Sequence, residues 1–227
     1  LHHDFAFLHW WSVRKRVERK VIYMYARFVK RALDFIGASF LLLLSSPLFI
    51  VVAIIIKLTS RGPVFFKQER TGLHGKTFTM CKFRSMAEDN DVNDVKSGDK
   101  VTKVGKILRA TSLDELPQFI NIIRGDMSFI GPRPWIPAYY QHMNDKQRHR
   151  NDVRPGITGL AQAYGRNNLN IYEKINYDLR YVRNVSFFGD IKVIFVTIKM
   201  LFNREACELG KEGIHEELDM LKKQSLN

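Results

Sequence analysis

The chain has 227 residues, enough for one domain with its own core, and its 45% hydrophobic and 26% charged content excludes the disordered class. Lys and Arg number 36 against 23 Asp and Glu, so the net charge is +13. Such an excess points to anionic partners, whether nucleic acid, phosphate-bearing substrates or an acidic lipid surface.

In chain order, residues 1–34 form a basic N-terminal segment with Trp10-Trp11 and the cluster Arg14 to Lys20. From Phe35 to Ile56 no residue is charged, a run of about 22 against the roughly 20 that a membrane-spanning helix needs. Arg27, Lys30 and Arg31 precede this run and Lys57, Arg61, Lys67 and Arg70 follow it, so both flanks have cytoplasmic character. Pro47 removes the backbone bond to the Leu43 carbonyl and kinks a helix there, and the Ser45 and Ser46 hydroxyls can bond the freed carbonyls. Two readings of residues 35–56 stand at this point: a kinked spanning helix, or a re-entrant helix that bends at Ser46-Pro47 and returns to its own face.

Residues 57–203 read as a cytosolic domain. Pro63 to Gln68 and Thr77 to Phe83 are β-like runs around the turn Gly72 to Lys76, which makes a hairpin. Glu88 to Lys100 is a polar loop without the glycine and closing glutamate of a calcium site. Helices are predicted over Lys103 to Ala110 and Leu113 to Arg124, followed by a turn-rich stretch from Gly125 to Pro134. Leu169 to Val182 is amphipathic, with Ile175, Leu179 and Val182 on one face. Phe187 to Phe202 places Phe188, Ile191, Phe195, Ile198 and Phe202 at helical spacing, with Lys192 and Lys199 on the other side. That helix faces either a membrane interface or the core. From Glu205 the chain is charged, and 204–227 reads as a tail. The expected class is α+β, mainly helical. Only 2 cysteines occur, far apart, and the 7 histidines show no metal-binding spacing, which argues against a disulfide framework or a structural zinc.

The segment Arg109-Ala-Thr-Ser-Leu-Asp-Glu-Leu-Pro-Gln118 concentrates the chemistry. Ser112 and Glu115 make an S-x-x-E capping box for a helix beginning at Leu113, which accounts for Glu115 without catalysis. Asp114 is left over; with Gln118 and Asn121 it forms a polar stripe beside Leu116, Ile120 and Ile123. The macrodipole of a first helical turn should keep Asp114 ionised, as a carboxylate nucleophile requires. Adjacent carboxylates repel, and Mg²⁺ between them and a substrate phosphate relieves the repulsion. Arg109, Arg133 between two prolines, Arg154 in Val-Arg-Pro-Gly and Arg166 in Tyr-Gly-Arg-Asn lie at or near turns stiffened by Gly and Pro, as bidentate phosphate recognition needs. Taken singly, each reads as a solvated surface charge.

At these residues the chain resembles the bacterial sugar transferases, the monotopic polyprenyl-phosphate phosphoglycosyl transferases, from about Tyr25 to Phe202. The stretches that carry the resemblance are Lys30-Arg-Ala-Leu-Asp-Phe35, Ser46-Pro47, Lys82-Phe-Arg-Ser-Met86, Ser112-Leu-Asp-Glu-Leu-Pro-Gln118, Gly125-Asp-Met-Ser128, Gly131-Pro-Arg-Pro134 and Val153-Arg-Pro-Gly-Ile-Thr-Gly159. The resemblance implies a monotopic protein with a re-entrant helix broken at Ser46-Pro47, a catalytic core and amphipathic interfacial helices. It implies transfer of a sugar 1-phosphate from a UDP-sugar to polyprenyl (undecaprenyl) phosphate, with Mg²⁺, at the cytoplasmic face of the bacterial inner membrane. In that pattern Asp114 is the nucleophile and Glu115 its acidic partner at the metal, with Arg133, Lys82 and Arg84 at the substrate phosphates. Membrane lipids are partners and nucleic acid is not. Leu160 and Tyr164 stand where relatives often carry Trp and Asn. Residues 1–23 lie outside the resemblance, and are expected to be an added interfacial anchor or a start assigned upstream of Met24.

The mechanism expected from these residues has two steps, with Asp114 attacking the sugar-bearing phosphorus and the lipid phosphate then attacking the intermediate. A direct transfer in a ternary complex, with Asp114 only a metal ligand, is the rival enzyme reading. A membrane-tethered binder of nucleic acid or anionic lipid is the rival outside enzymes, and it gains nothing from a carboxylate pair.

Overall fold

The longest apolar run of the chain breaks at Ser45. In the computed structural model, which describes residues 24–87, 101–165, 169–201 and 214–225, a π-helical turn over Tyr25–Val29 continues into helix α1 (Lys30–Leu44). Helix α2 (Ser46–Thr59) then departs at a bend of 61°. Pro47 lies in the first turn of α2, where a missing N–H costs least. Ser46 Oγ donates to the Leu43 carbonyl at 2.7 Å and Ser45 Oγ to that of Leu41 at 2.6 Å. The expected kink is therefore present, with the Ser46 hydroxyl on the Leu43 carbonyl, to which Pro47 has no N–H to donate. No single helix among the described residues is long and apolar enough to cross a membrane, whereas the bent pair meets that test together. Ala38, Val52 and Ile56 face the rest of the fold, while Leu43, Leu44, Ile50 and Leu58 point outward, 62% to 81% exposed.

Strands β1 (Phe65–Thr71) and β2 (Thr77–Phe83) pair antiparallel, from Phe65 opposite Phe83 to Thr71 opposite Thr77, as the hairpin reading requires. Phe49 of α2 packs on Phe65 and Phe83 with ring centroids 6.0 and 4.6 Å away, which seats the hairpin on the bent pair. Helix α3 (Lys103–Ala110) has its expected bounds, and Thr102 Oγ1 caps it by accepting from the Gly105 N–H at 2.9 Å. Helix α4 (Gln118–Arg124) ends at Gly125, whose φ of 93° suits glycine. Arg31 of α1 donates to the Ile122 and Ile123 carbonyls at that end, a cation where the helix dipole favours one.

Strand β3 (Ser128–Ile130) crosses the stretch read as turns, followed by α5 (Pro137–His142) and α6 (Asp145–Arg148). It pairs in parallel with β4 (Gly156–Thr158), a ladder of three-residue strands too short to leave a period in the sequence. The backbones approach so closely that a Cβ on Gly156 would lie 2.1 Å from the Gly131 nitrogen. Helices α7 (Leu160–Tyr164), α8 (Ile171–Arg183) and α9 (Phe187–Leu201) follow. Ile171, Ile175 and Leu179 of α8 join Tyr139 and Met143 in one core, and Val182 of the predicted face is half-buried. A buried polar knot ties the two ends of this domain. Asp190 of α9 accepts from Lys30 Nζ, Tyr25 OH and Tyr181 OH, each at 2.7 Å.

The architecture is α+β and mainly helical, and it corrects several expectations. The helix from Leu113 is broken into a 3₁₀ turn over Leu113–Glu115 and then α4, because Pro117 donates no backbone hydrogen bond. Ser112 sits at φ 57° and makes no cap bond, so the S-x-x-E box does not form. The charged C-terminal stretch is not a free tail. Over Ile214–Ser225 it is helix α10, whose Leu221 is fully buried in the α8 core. Helix α9 turns Phe188, Ile194, Phe195 and Ile198 outward, while Val193 and Val196 pack in a core cluster, so it presents apolar side chains both to the core and away from it. Trp10-Trp11, the Arg14 to Lys20 cluster, the loop Glu88 to Lys100, Arg166 and Phe202 lie outside the described residues.

Candidate active site

Apolar anchors on both sides set the direction of the acid pair. Leu113 and Leu116 pack with Val52, Ile56, Phe83 and Leu108, and the left-handed Ser112 turns the chain back after α3. Asp114 and Glu115 are thereby left facing a cleft of about 1040 Å³. The same cleft receives Lys82 from β2, Arg84 beyond it, Arg109 from α3, and Arg133 from the Pro-Arg-Pro loop.

Lys82 Nζ lies 2.6 Å from Glu115 Oε1, and Arg133 Nη2 lies 3.6 Å from the same atom. Asp114 bears no ion pair or hydrogen bond among the described residues. Arg109 Nε donates to Ser85 Oγ at 2.9 Å and Arg84 Nη1 to the Arg61 carbonyl at 2.8 Å, so each guanidinium is anchored with N–H groups left over. Other predicted residues lie elsewhere. Arg154 Nε donates to the Gly125 carbonyl at 2.8 Å, and Arg154 does not line the cleft. Asn121 is a structural clamp: its Nδ2 donates to Thr79 O at 2.8 Å and its Oδ1 accepts from Cys81 N–H at 3.1 Å, fastening α4 to β2. Gln118 is buried in a recess shared with Lys82, Glu115 and Arg133.

The two neighbouring carboxyls respond to this setting in opposite ways. Burial pushes Asp114 up, with Glu115 adding to the shift and Lys82, Arg109 and Arg133 opposing it. The macrodipole expected to hold it ionised is weak here, because the acids sit on a three-residue 3₁₀ turn rather than a full helix. Burial would also raise Glu115, yet Lys82 and Arg133 outweigh it and hold that carboxyl below its ordinary value. Lys82 is itself pushed down by burial and by Arg133, against the pull of Glu115.

Sequence reasoning missed the groups that shape the cleft behind the acids. Arg150 is 1% exposed; its Nε and Nη2 donate to Asp178 Oδ2 at 2.9 and 2.7 Å, and Nη2 also donates to the Arg133 carbonyl at 2.7 Å. Its guanidinium carbon lies 3.8 Å from the Trp135 ring centre. Arg70, pushed down to about 10 by burial and by Arg133, donates to the Pro134 carbonyl at 3.2 Å. Both arginines hold the Pro-Arg-Pro backbone. Neither is marked in the sequence, where Arg150 sits in a basic run that looks like a solvated face.

No group of three or more His, Cys, Asp or Glu gathers among the described residues. The Asp114 and Glu115 carboxylates fit a cation that takes most of its ligands from water and substrate phosphates, and this is the habit of Mg²⁺.

A carboxylate pair among Lys82, Arg84, Arg109 and Arg133, set in a domain that carries a bent apolar helix pair, is an arrangement suited to phosphate-bearing ligands. Residues 25–204 match the model of the bacterial sugar transferases, and the chain belongs to that family and to the transferase class. It is 41% identical over 182 residues to the uncharacterized sugar transferase EpsL of Bacillus subtilis, covering 79% of this chain and 90% of that protein. It is 45% identical over 190 residues to the UDP-glucose:undecaprenyl-phosphate glucose-1-phosphate transferase of Klebsiella pneumoniae, covering 78% of this chain but 41% of the relative. With the UDP-N-acetylgalactosamine-undecaprenyl-phosphate N-acetylgalactosaminephosphotransferase of Aeromonas hydrophila it shares 39% over 184 residues, 77% of this chain and 44% of the relative.

Proposed function

We propose that the protein transfers a sugar 1-phosphate from a UDP-sugar to undecaprenyl phosphate, releasing UMP, as a membrane step of polysaccharide or glycoconjugate assembly. The observation that carries this reading is Asp114, without an ion pair among the described residues, lining a cleft with Arg84, Arg109 and Arg133 beside a Glu115 already neutralised by Lys82. The names of the Klebsiella and Aeromonas relatives support the choice of substrates.

In the first step an Asp114 carboxylate oxygen attacks the sugar-bearing phosphorus. The new bond is an acyl phosphate, and the bond to UMP breaks. Burial makes this carboxylate more basic than usual and strips water from it, which favours attack once it is ionised. In the second step an oxygen of the lipid phosphate attacks the same phosphorus, the acyl bond breaks, and Asp114 is restored. Arg109, Arg133 and Lys82 orient the phosphate oxygens and offset the charge that develops on them. Asp114 and Glu115 would hold Mg²⁺, which when bound neutralises diphosphate oxygens.

The outward-facing leucines and isoleucines of α1 and α2 and the phenylalanines of α9 support a monotopic placement, in which the bent pair dips into one leaflet from the cytoplasmic face. Release of UMP from a UDP-sugar without any lipid acceptor, with the labelled sugar phosphate trapped on Asp114, is the expected result. Turnover that strictly requires both substrates together would establish the ternary mechanism instead.

A further inference from the structure

The cleft that holds the acid pair extends to a second wall that the chemistry of Asp114 does not use. That wall is built by Tyr139 of α5, Gln162 of α7, Lys174 and Asp178 of α8, and Glu217 of α10. Helix α10 lies beyond residue 204, where the family match ends. It is nonetheless fastened to the domain by the buried Leu221 and by Tyr172 OH, which donates to the Met220 carbonyl at 2.8 Å. Its Glu217 accepts from Tyr139 OH at 2.8 Å and pairs with Lys174.

This wall carries unspent hydrogen-bonding capacity. Asp178 is 1% exposed; Arg150 occupies its Oδ2, and its Oδ1 has no hydrogen-bond partner. Both amide atoms of Gln162 are buried and unpartnered as well. Buried polar atoms in a folded protein are rarely left so, and those beside a cleft call for a partner from whatever fills it.

We propose that Glu217, Lys174 and Asp178 form a hydroxyl-binding subsite for the hexose of the nucleotide-sugar donor, and that α10 is thereby a determinant of which sugar is accepted. The proposal rests on the donor reading given above. Each cation of this wall is already paired, Lys174 with Glu217 and Arg150 with Asp178, so the wall offers no spare positive charge to a diphosphate or a lipid phosphate, and the occupant is neutral. Hydroxyl groups both donate and accept, and they match a wall that offers a Lys174 N–H, carboxylate oxygens and the Gln162 amide. Trp135, half-buried and lining the same cleft, adds apolar surface for the C–H face of a sugar ring. A site built to bond a particular hydroxyl rejects the epimer that misplaces it, because its own buried groups are then left unpaired.

The ribose of the uridine has the same chemistry, and the test separates the two. Initial rates of UMP release are measured on the full chain with UDP-glucose, UDP-galactose, both N-acetylhexosamine donors, and the 2′-deoxyuridine form of the best donor. Glu217→Gln keeps the size and an acceptor for Tyr139 but loses the charge that holds Lys174. The expected result is a fall in kcat/KM at least about tenfold larger for the preferred donor than for its poorest epimer, mainly through KM, with the ratio of 2′-hydroxyl to 2′-deoxy donor unchanged. An equal fall across all donors, an unaltered profile, or a changed 2′-hydroxyl ratio overturns the hexose subsite. If Glu217→Gln shows no cooperative melting transition, Lys174→Gln carries the same comparison. A wild-type protein that releases no UMP from any of these donors overturns the donor reading itself, a result distinct from a flat profile in an active enzyme.

Discussion

Lys82 Nζ lies 2.6 Å from Glu115 Oε1, while the adjacent Asp114 has no ion pair among the described residues. Two neighbouring carboxylates are thus made chemically different by one lysine. Asp114→Asn should lower acceptor-independent UMP release by on the order of 10⁴-fold, since the reacting group itself is gone. Lys82→Met should lower it by roughly 10²-fold, the usual effect of losing one preorganised charge. Single-turnover measurements with labelled UDP-sugar check both, and comparable losses in the two variants would remove the division of roles.

The same pair predicts an acid-sensitive contribution to stability. Glu115 is held below its ordinary value of 4.5, because Lys82 and Arg133 outweigh the effect of its burial. A carboxylate with a depressed folded pKa stabilises fully above its unfolded value and loses that contribution as pH falls through the folded one. Wild type should therefore be more stable than Glu115→Gln near neutral pH and lose that margin below about pH 4.5. Urea midpoints of both proteins between neutral pH and acid provide the measurement, and a margin independent of pH would rule the linkage out.

How much of this was legible in the sequence depended on whether a signal was local. The kink at Ser46-Pro47, the hairpin and α3 follow from proline chemistry, alternation and period, and the structure has them. Asp114, Glu115, Arg109 and Arg133 stood out as charges beside turn residues and do meet in one cleft. Arg154 carried the same local signature, yet it binds the Gly125 carbonyl outside that cleft. Local sequence marks a stiffened arginine but not the direction it points. Arg150, Asp178 and Glu217 acquire their roles from contacts 17 to 78 residues away, which no pattern of neighbours encodes. The Ser112 box failed for the opposite reason: a good local signal was overridden by the turn that Pro117 and the leucine anchors impose.

The bend at Ser45 has a test of its own. Ser46 Oγ donates to the Leu43 carbonyl, and Pro47 has no N–H to offer it. Restoring that N–H with Pro47→Ala, combined with Ser46→Ala, should let α1 and α2 join into one longer helix, now of a length that crosses a bilayer. Cysteine labelling at position 24 in inverted and right-side-out vesicles should report the wild-type N-terminal flank on the cytoplasmic side and the double variant on the far side. Far-side labelling of the wild-type protein would show that the bent pair spans.

Arg150 and Asp178 form a pair with side chains 1% and 2% exposed, and Arg150 also holds the Arg133 carbonyl at 2.7 Å. Removing one member of a buried pair leaves the other charge without compensation, at a typical cost of about 3–5 kcal/mol. Arg150→Met should therefore shift the urea midpoint strongly. Pairing it with Asp178→Leu removes the orphan charge and should recover much of that loss, because an apolar pair of similar volume often replaces a buried ion pair at little cost. Activity should not recover with stability. In the double variant the Arg133 carbonyl has lost its Arg150 donor and Asp178 is gone from the proposed hydroxyl-binding wall, so kcat/KM should stay depressed by roughly 10-fold or more. A double variant that regains both stability and turnover would show that Arg150 serves the core alone and not the placement of Arg133.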